Sequence, residues 1–84
     1  IGSNAFWGCK KLKDVIIPEG VTTISSGTFT SCDSLEKIVI PSSVKKIDFD
    51  AFEKSDNIVI HAPKDSYAIE YAQVMNIPFE ILTD

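Results

Sequence analysis

The sequence contains few of the features that support catalysis, membrane insertion or nucleic-acid binding. Its 84 residues include one histidine, two cysteines and no apolar run longer than four residues. A membrane-spanning helix needs about 20 consecutive apolar residues, so we expect no membrane insertion. A single histidine among scattered serines gives no Ser–His–Asp pattern, and Gly20 and Gly27 are too isolated to form a phosphate loop. The chain is therefore expected to be non-catalytic and to hold no cofactor.

The charge distribution gives no sign of a nucleic-acid surface. The formal net charge is −4, and lysines alternate with acidic residues along most of the chain. The densest basic cluster, Lys10, Lys11 and Lys13, is offset by carboxylates elsewhere. Because nucleic-acid binding depends on neutralising phosphates with a basic patch, we expect no such partner. The apolar content of 44 % argues against disorder and predicts one small folded domain.

The sequence repeats itself with a period of 23 residues. Residues 1–23 and 24–46 share eight identities in 23 aligned pairs: Ile1/Ile24, Ser3/Ser26, Phe6/Phe29, Cys9/Cys32, Leu12/Leu35, Ile17/Ile40, Pro18/Pro41 and Val21/Val44. A period of 20–29 residues with Leu and Ile at fixed offsets is typical of a leucine-rich repeat solenoid. Such units stack because one unit cannot bury its own apolar face. We call the unit that each repeat adds to the stack a rung.

The spacing within a repeat predicts short parallel strands. Val15, Ile16 and Ile17 are β-branched residues in the alternation of a strand, and Pro18, which lacks an N–H, closes it. A second short extended segment is expected at Val21–Ile24 and again at 44–47. The turn before each strand is expected to bring one Phe per rung into the core, so that Phe6, Phe29 and Phe52 form a column.

The third repeat, 47–63, is shorter than the first two. We interpret Ile58–Ile60 as its strand, with three residues lost before it and His61 following it. The chain then changes character: Ser66–Met75 has a helical pattern in which Ala68, Ala72 and Met75 share a face. Asp65 or Ser66 is the expected N-cap, Asn76 the expected left-handed residue at the end of the helix, and residues 77–81 a final strand. Residues 64–84 are thus predicted to cap the stack.

These repeats resemble the BspA-like leucine-rich repeats of bacterial surface proteins. The resemblance lies in LEKIVIPSSVKKI at residues 35–47 and in IGSNAFWGC at residues 1–9, and it covers essentially the whole chain. Ser25 and Asp48 stand where the pattern has the glycine found at Gly2, and Ser55 is nearest to the third Cys position. The resemblance implies a location outside the cell, with adhesion or binding of proteins or glycans. It also implies further repeats upstream.

Several side chains allow more than one interpretation. Cys9 and Cys32 occupy the same slot of adjacent rungs, which favours buried free thiols over a disulfide or a metal site. His61 is interpreted as a structural or surface residue. Trp7 aligns with Thr30 and Glu53, so its side chain is expected to lie outside the core, either covered by an upstream repeat or in contact with a partner.

The outward face of the strands is the candidate partner-binding surface. Ile16, Val39 and Val59 are expected to align there, flanked by Asp14, Lys37 and Asn57. An exposed apolar stripe indicates a contact surface, but β-propensity and cross-strand pairing of charges explain the same residues. Two functions follow: a non-catalytic protein- or glycan-binding module, or a structural spacer within a larger protein. The first rung is also expected to present an open strand edge that promotes self-association.

Overall fold

The computed structural model describes residues 5–82. It contains six short strands and one helix, which follow the chain as β1 (Asp14–Ile16), β2 (Thr23–Ile24), β3 (Lys37–Val39), β4 (Lys46–Ile47), β5 (Val59–Pro63), α1 (Tyr67–Val74) and β6 (Phe79–Leu82). The expected set of short parallel strands with one C-terminal helix is therefore present. No helix within residues 5–82 has both the length and the apolar character needed to cross a membrane.

The strands form two parallel sheets, and each of the first two repeats contributes one strand to each sheet. The larger sheet has the order β1-β3-β5-β6, and β2 pairs with β4 in the smaller one. The register of β1 and β3 joins Val15 to Ile38 and Ile16 to Val39, as the 23-residue period predicts. The β2–β4 pair joins Ile24 to Ile47 and confirms the second extended segment.

The register of the third repeat differs from the prediction. β3 pairs with β5 so that Ile38 lies beside Ile60, Val39 beside His61 and Lys37 beside Val59. Ile58 is buried at the position equivalent to Leu35. Compared with the second repeat, the third repeat is therefore one residue shorter before its strand, and not three residues shorter as predicted. The predicted alignment of Val59 with Val39 was wrong, and His61 lies within β5 instead of following it. Asn57 precedes β5 and is not a strand residue.

The core is a single cluster in which the same slots of successive repeats are buried. Ile17 and Ile40, which directly follow β1 and β3, and Ala62 at the equivalent position of β5 are at most 3 % exposed. Ala62 thus replaces the isoleucine of the first two repeats. The predicted aromatic column is confirmed. The rings of Phe6 and Phe29 are stacked at 5.4 Å, and those of Phe29 and Phe52 at 5.5 Å.

Backbone hydrogen bonds join the turns that carry these phenylalanines. The N–H groups of Phe6 and Gly8 donate to the carbonyls of Thr28 and Thr30, both at 2.9 Å. The next pair of turns repeats the arrangement: the N–H groups of Phe29 and Ser31 donate to the carbonyls of Ala51 and Glu53, both at 2.8 Å. We call these four bonds the turn ladder. In each bond the donor belongs to the earlier repeat and the acceptor to the later one.

The helix covers the end of the aromatic column. Tyr71 tilts against Phe52 at 6.2 Å, and its hydroxyl donates to the carbonyl of Asp48 at 3.0 Å. The helix begins after Ser66, as expected, but the Ser66 hydroxyl makes no capping bond. Asn76 has φ 58°, which confirms the predicted left-handed residue at the end of the helix. The N–H of Ile77 donates to the carbonyl of Ala72, which completes a Schellman motif. Met75 was expected on the buried face of α1 but is 38 % exposed.

Candidate partner-binding surface

Alternation along the strands separates buried from outward side chains. Val15 and Ile17 are more buried than Ile16, which is 75 % exposed. Ile38 in β3 and Ile40 just after it are fully buried, and Val39 between them is partly exposed. Successive side chains of a strand point to opposite faces of a sheet. The solvent-facing side of the larger sheet, which we call the outward sheet face, therefore carries the residues at alternate positions of β1, β3, β5 and β6.

The outward sheet face contains most of the residues predicted for partner binding, but their pairing across β3 and β5 differs from the prediction. One row across the strands is Asp14, Lys37 and Val59, and the next is Ile16, Val39, His61 and Glu80. Five of the six predicted residues lie on strands of this face, while Asn57 lies outside it. The apolar stripe thus consists of Ile16 and Val39, and it is continued by His61 instead of by Val59.

A third row of this face was missed by the sequence analysis. The register places Pro63 beside Leu82, and the repeat places Pro18 and Pro41 in the same slot. These residues, with Ile16 and Val39, line a shallow groove of about 550 Å³. The 23-residue spacing of Pro18 and Pro41 was visible in the sequence, but we interpreted these prolines only as a signal for strand ends. Leu82 is 37 % exposed, so β6 extends the apolar surface to the end of the sheet.

The two cysteines lie away from this face, in the turns. Neither forms a disulfide, which confirms that both thiols are free. Cys32 is fully buried, but Cys9 is partly exposed, so the prediction of burial was wrong for Cys9. Burial raises the pKa of the Cys32 thiol above its ordinary value. Among residues 5–82 there is no group of three or more His, Cys, Asp or Glu side chains that could hold a metal ion.

The arrangement offers contact area and contains no recognisable reactive constellation in the part of the chain described. Exposed branched aliphatic side chains and proline rings bury apolar area against a partner without a large loss of side-chain entropy. Asp14 and Lys37 lie side by side at the border of the apolar rows. Charged residues at such a border favour selectivity and association rate more than affinity.

Comparison with known proteins agrees with the repeat architecture. The chain matches no curated protein and no solved structure at a significant level. The family model described as "BspA type leucine rich repeat region (6 copies)" matches residues 1–77, which is most of the chain. The match covers all three repeats and the helix that follows them. The chain therefore belongs to the family of BspA-type leucine-rich repeat proteins.

Proposed function

We propose that this chain is a non-catalytic module that binds a protein partner through its outward sheet face, as part of a longer leucine-rich repeat solenoid. The observation that carries the proposal is the apolar surface formed by Ile16, Val39 and the proline row. Ile16 is 75 % exposed. Its neighbours, Val39 across the sheet and Pro18 in the next row, are also apolar, so the apolar side chains are contiguous. Contiguous apolar patches on a small protein mark interaction sites.

The composition of this face favours a protein partner over a glycan. Its groove is lined mainly by aliphatic side chains and proline rings, and Glu19 and Ser42 are its polar lining residues. Sugar recognition depends on dense hydrogen bonding, whereas the centre of a protein interface is apolar with charges at the rim. Members of this family are typically surface proteins, so we place the chain at the bacterial cell surface or outside the cell.

The proposal is tested with the double variant Ile16→Thr/Val39→Thr. Threonine keeps the β-branched shape that a strand prefers and removes the apolar surface. The readout is binding of the chain to a panel of immobilised extracellular matrix proteins, with a glycan array measured in parallel. We expect a bound protein for which the double variant weakens the affinity by more than about tenfold, which corresponds to about 1.4 kcal/mol.

Phe49→Ser is the matched control, because Phe49 is exposed but lies off the outward sheet face. It should bind the same protein as well as the unchanged chain does. Binding to no protein of the panel would favour the spacer function, and binding to glycans alone would replace the protein partner with a sugar. Equal loss in the double variant and in the control would also contradict the assignment of the site.

A further inference from the structure

The floor of the groove on the outward sheet face is formed by the proline row. Pro18 is exposed, Pro63 is half-buried and Pro41 between them is buried, so the middle of the row is the deepest part. Proline has no backbone N–H to donate. The proline carbonyls are also in use, because each accepts a hydrogen bond from the N–H three residues later, at 3.1 to 3.3 Å. The floor therefore offers apolar contact and few hydrogen bonds.

A partner segment cannot pair its backbone with this floor. The addition of a strand to a sheet depends on free N–H and C=O groups along a sheet edge, whereas the groove lies on the face of the sheet. The partner therefore has to enter the groove with side chains. Because the groove is on the face, a further repeat beside β1 would lengthen it and would not cover it.

Among the described residues that line the groove, Glu19 alone is charged. Its side chain is exposed, and within residues 5–82 the carboxylate has neither a hydrogen-bond donor nor an ion-pair partner. Ser42, in the same position of the second repeat, is the other polar lining residue. Neighbouring strands of a sheet lie about 4.8 Å apart, so Glu19 and Ser42 are neighbours at the border of the apolar floor.

The turn that carries Glu19 is held by the next repeat. The N–H of Gly20 donates to the Ser43 hydroxyl at 3.1 Å, and this hydroxyl donates to the carbonyl of Val21 at 2.8 Å. On the other side of Glu19, the ring of Pro18 restricts the backbone. A carboxylate on a fixed backbone loses less conformational freedom when it binds a partner.

Glu19 differs from the other carboxylates of this face in its surroundings. In the other charged rows each carboxylate lies beside a basic residue, and the pairs are Asp14 with Lys37 and Glu80 with His61. Lys64 occupies the position of Glu19 in the third repeat, but it lines a separate cleft between α1 and β6. Among the described residues, Glu19 thus presents a negative charge that no basic neighbour in its row offsets.

We propose that the groove receives a long basic side chain, arginine or lysine, from the protein partner. The aliphatic stem lies over the proline rings, and the cationic head pairs with the Glu19 carboxylate beside the Ser42 hydroxyl. Such side chains cover apolar surface with their methylene groups and keep the charged head in water. Arginine fits better than lysine, because its planar guanidinium donates to both oxygen groups at once. This proposal rests on the proposed function, because both concern the outward sheet face.

Short peptides test the preference for a basic side chain. The probes are acetylated and amidated peptides Gly-Leu-Xaa-Leu-Gly, in which Xaa is arginine, citrulline, leucine or glutamate. Citrulline keeps the shape of arginine and lacks its charge. Each peptide is titrated into the isotope-labelled chain, and the amide signals of Ile16, Glu19 and Ser42 report binding in the groove. The arginine peptide should bind about two- to fivefold more tightly than the citrulline peptide, as expected for an exposed ion pair, and less so at high salt.

Substitution of Glu19 should change this preference in a predictable direction. Glu19→Lys introduces the residue found at this position of the third repeat, so the variant is expected to fold, and it should bind the glutamate peptide more tightly than the arginine peptide. Glu19→Gln should bind the arginine and citrulline peptides equally. Glu70→Gln removes an exposed carboxylate of α1 away from this face. As the matched control, it should keep the preference for arginine.

The double variant Ile16→Thr/Val39→Thr distinguishes failure of this proposal from failure of the proposed function. It should weaken the arginine, citrulline and leucine peptides alike. If it does so while the unchanged chain binds arginine and citrulline equally, the face binds partners and the assignment of a basic side chain is wrong. A preference for arginine that persists in Glu19→Gln would contradict the role of Glu19. An arginine peptide that does not bind, or that shifts none of the groove signals, would overturn the proposal.

Discussion

The side-chain oxygen of Ser55 accepts a hydrogen bond of 2.9 Å from the backbone N–H of Cys32. Ser55 also donates to the carbonyl of Phe29, and the Cys32 thiol makes the equivalent contact to the carbonyl of Phe6 at 3.1 Å. This slot of the repeat therefore holds a small side chain that links two neighbouring turns. Serine in place of the third cysteine preserves the link.

Removal of the Ser55 hydroxyl should destabilise the chain. In Ser55→Ala the buried Cys32 N–H loses its acceptor, and an unsatisfied buried donor costs about 1–3 kcal/mol. Urea denaturation followed by circular dichroism measures the change in the free energy of unfolding. Ser55→Cys restores the residue of the earlier repeats and should cost less than Ser55→Ala. Equal stability of Ser55→Ala and the unchanged chain would show that solvent replaces the missing acceptor.

The aromatic column should depend most on its central member. Phe29 is fully buried between two stacked rings, and truncation of a buried phenylalanine costs about 3–5 kcal/mol. Because a small domain has only about 5–15 kcal/mol of stability, Phe29→Ala should lower the thermal midpoint strongly or unfold the chain. Phe49→Ala provides the control, since that side chain is 76 % exposed and its loss should change the midpoint little. A midpoint unaffected by Phe29→Ala would refute the stacked arrangement.

One turn position requires a left-handed backbone in each repeat. Gly8 has φ 74°, Ser31 φ 59° and Lys54 φ 63° in equivalent places. A residue with a Cβ atom is disfavoured in this conformation by about 1–2 kcal/mol, partly offset by the greater freedom of glycine in the unfolded chain. Ser31→Gly should therefore stabilise the chain by up to about 1 kcal/mol.

The reciprocal change, Gly8→Ser, should destabilise the chain by a similar amount. A Cβ atom at Gly8 would meet no heavy atom within 4 Å, so the effect would report backbone strain alone. Denaturation midpoints of both variants, measured side by side, check the pair. Shifts of the same sign in the two variants would be inconsistent with a shared left-handed position.

The stability of the chain should fall between pH 10 and pH 12. Burial, then the charges of Tyr67, Asp50 and Asp48, raise the pKa of Tyr71 from 10.0 to about 12. A group whose pKa is raised by folding contributes its full stabilisation below the pKa of the unfolded state, and the contribution disappears as the pH rises through the folded pKa. Urea denaturation across this range should show a shallower pH dependence for Tyr71→Phe. An identical pH dependence in both proteins would contradict the burial of the phenol.

The buried positions that recur in each repeat were predictable because the same residue types occur there in successive repeats of the sequence. Phe6, Phe29 and Phe52 recur at 23-residue intervals, so each ring lies at the equivalent position of the next rung and stacks on the one before it. The left-handed ending of α1 at Asn76 was predictable for a different reason: it depends on neighbouring residues alone. In both cases the physical cause acts through a pattern that can be read directly along the chain.

The register of the third strand was not predictable from alternation alone. Ile58 and Ile60 are two residues apart, so the alternation allows either of them to lie beside Ile38. The choice of Ile58 shifts the predicted pairing by two residues and aligns the wrong outward residues with Val39. Pro63 was the neglected signal, because counting back from it as the equivalent of Pro18 and Pro41 gives the observed register. The cleft lined by Phe49, Met75 and Pro78 was not predictable for another reason: its two sides, a turn and a helix end, meet only in the folded chain.

The turn ladder and the strand register have a consequence for how such a chain can grow. The backbone hydrogen bonds between neighbouring repeats join residues 21 to 24 positions apart, and the middle repeat makes the same kinds of bond on both sides. In-frame duplication of the segment 24–46 would therefore lengthen both sheets without creating a new kind of junction. Loss of one residue is tolerated just before β5, where Ile58 and Ile60 remain buried. Gene duplication and slippage at repeat boundaries are thus structurally conservative events for this architecture.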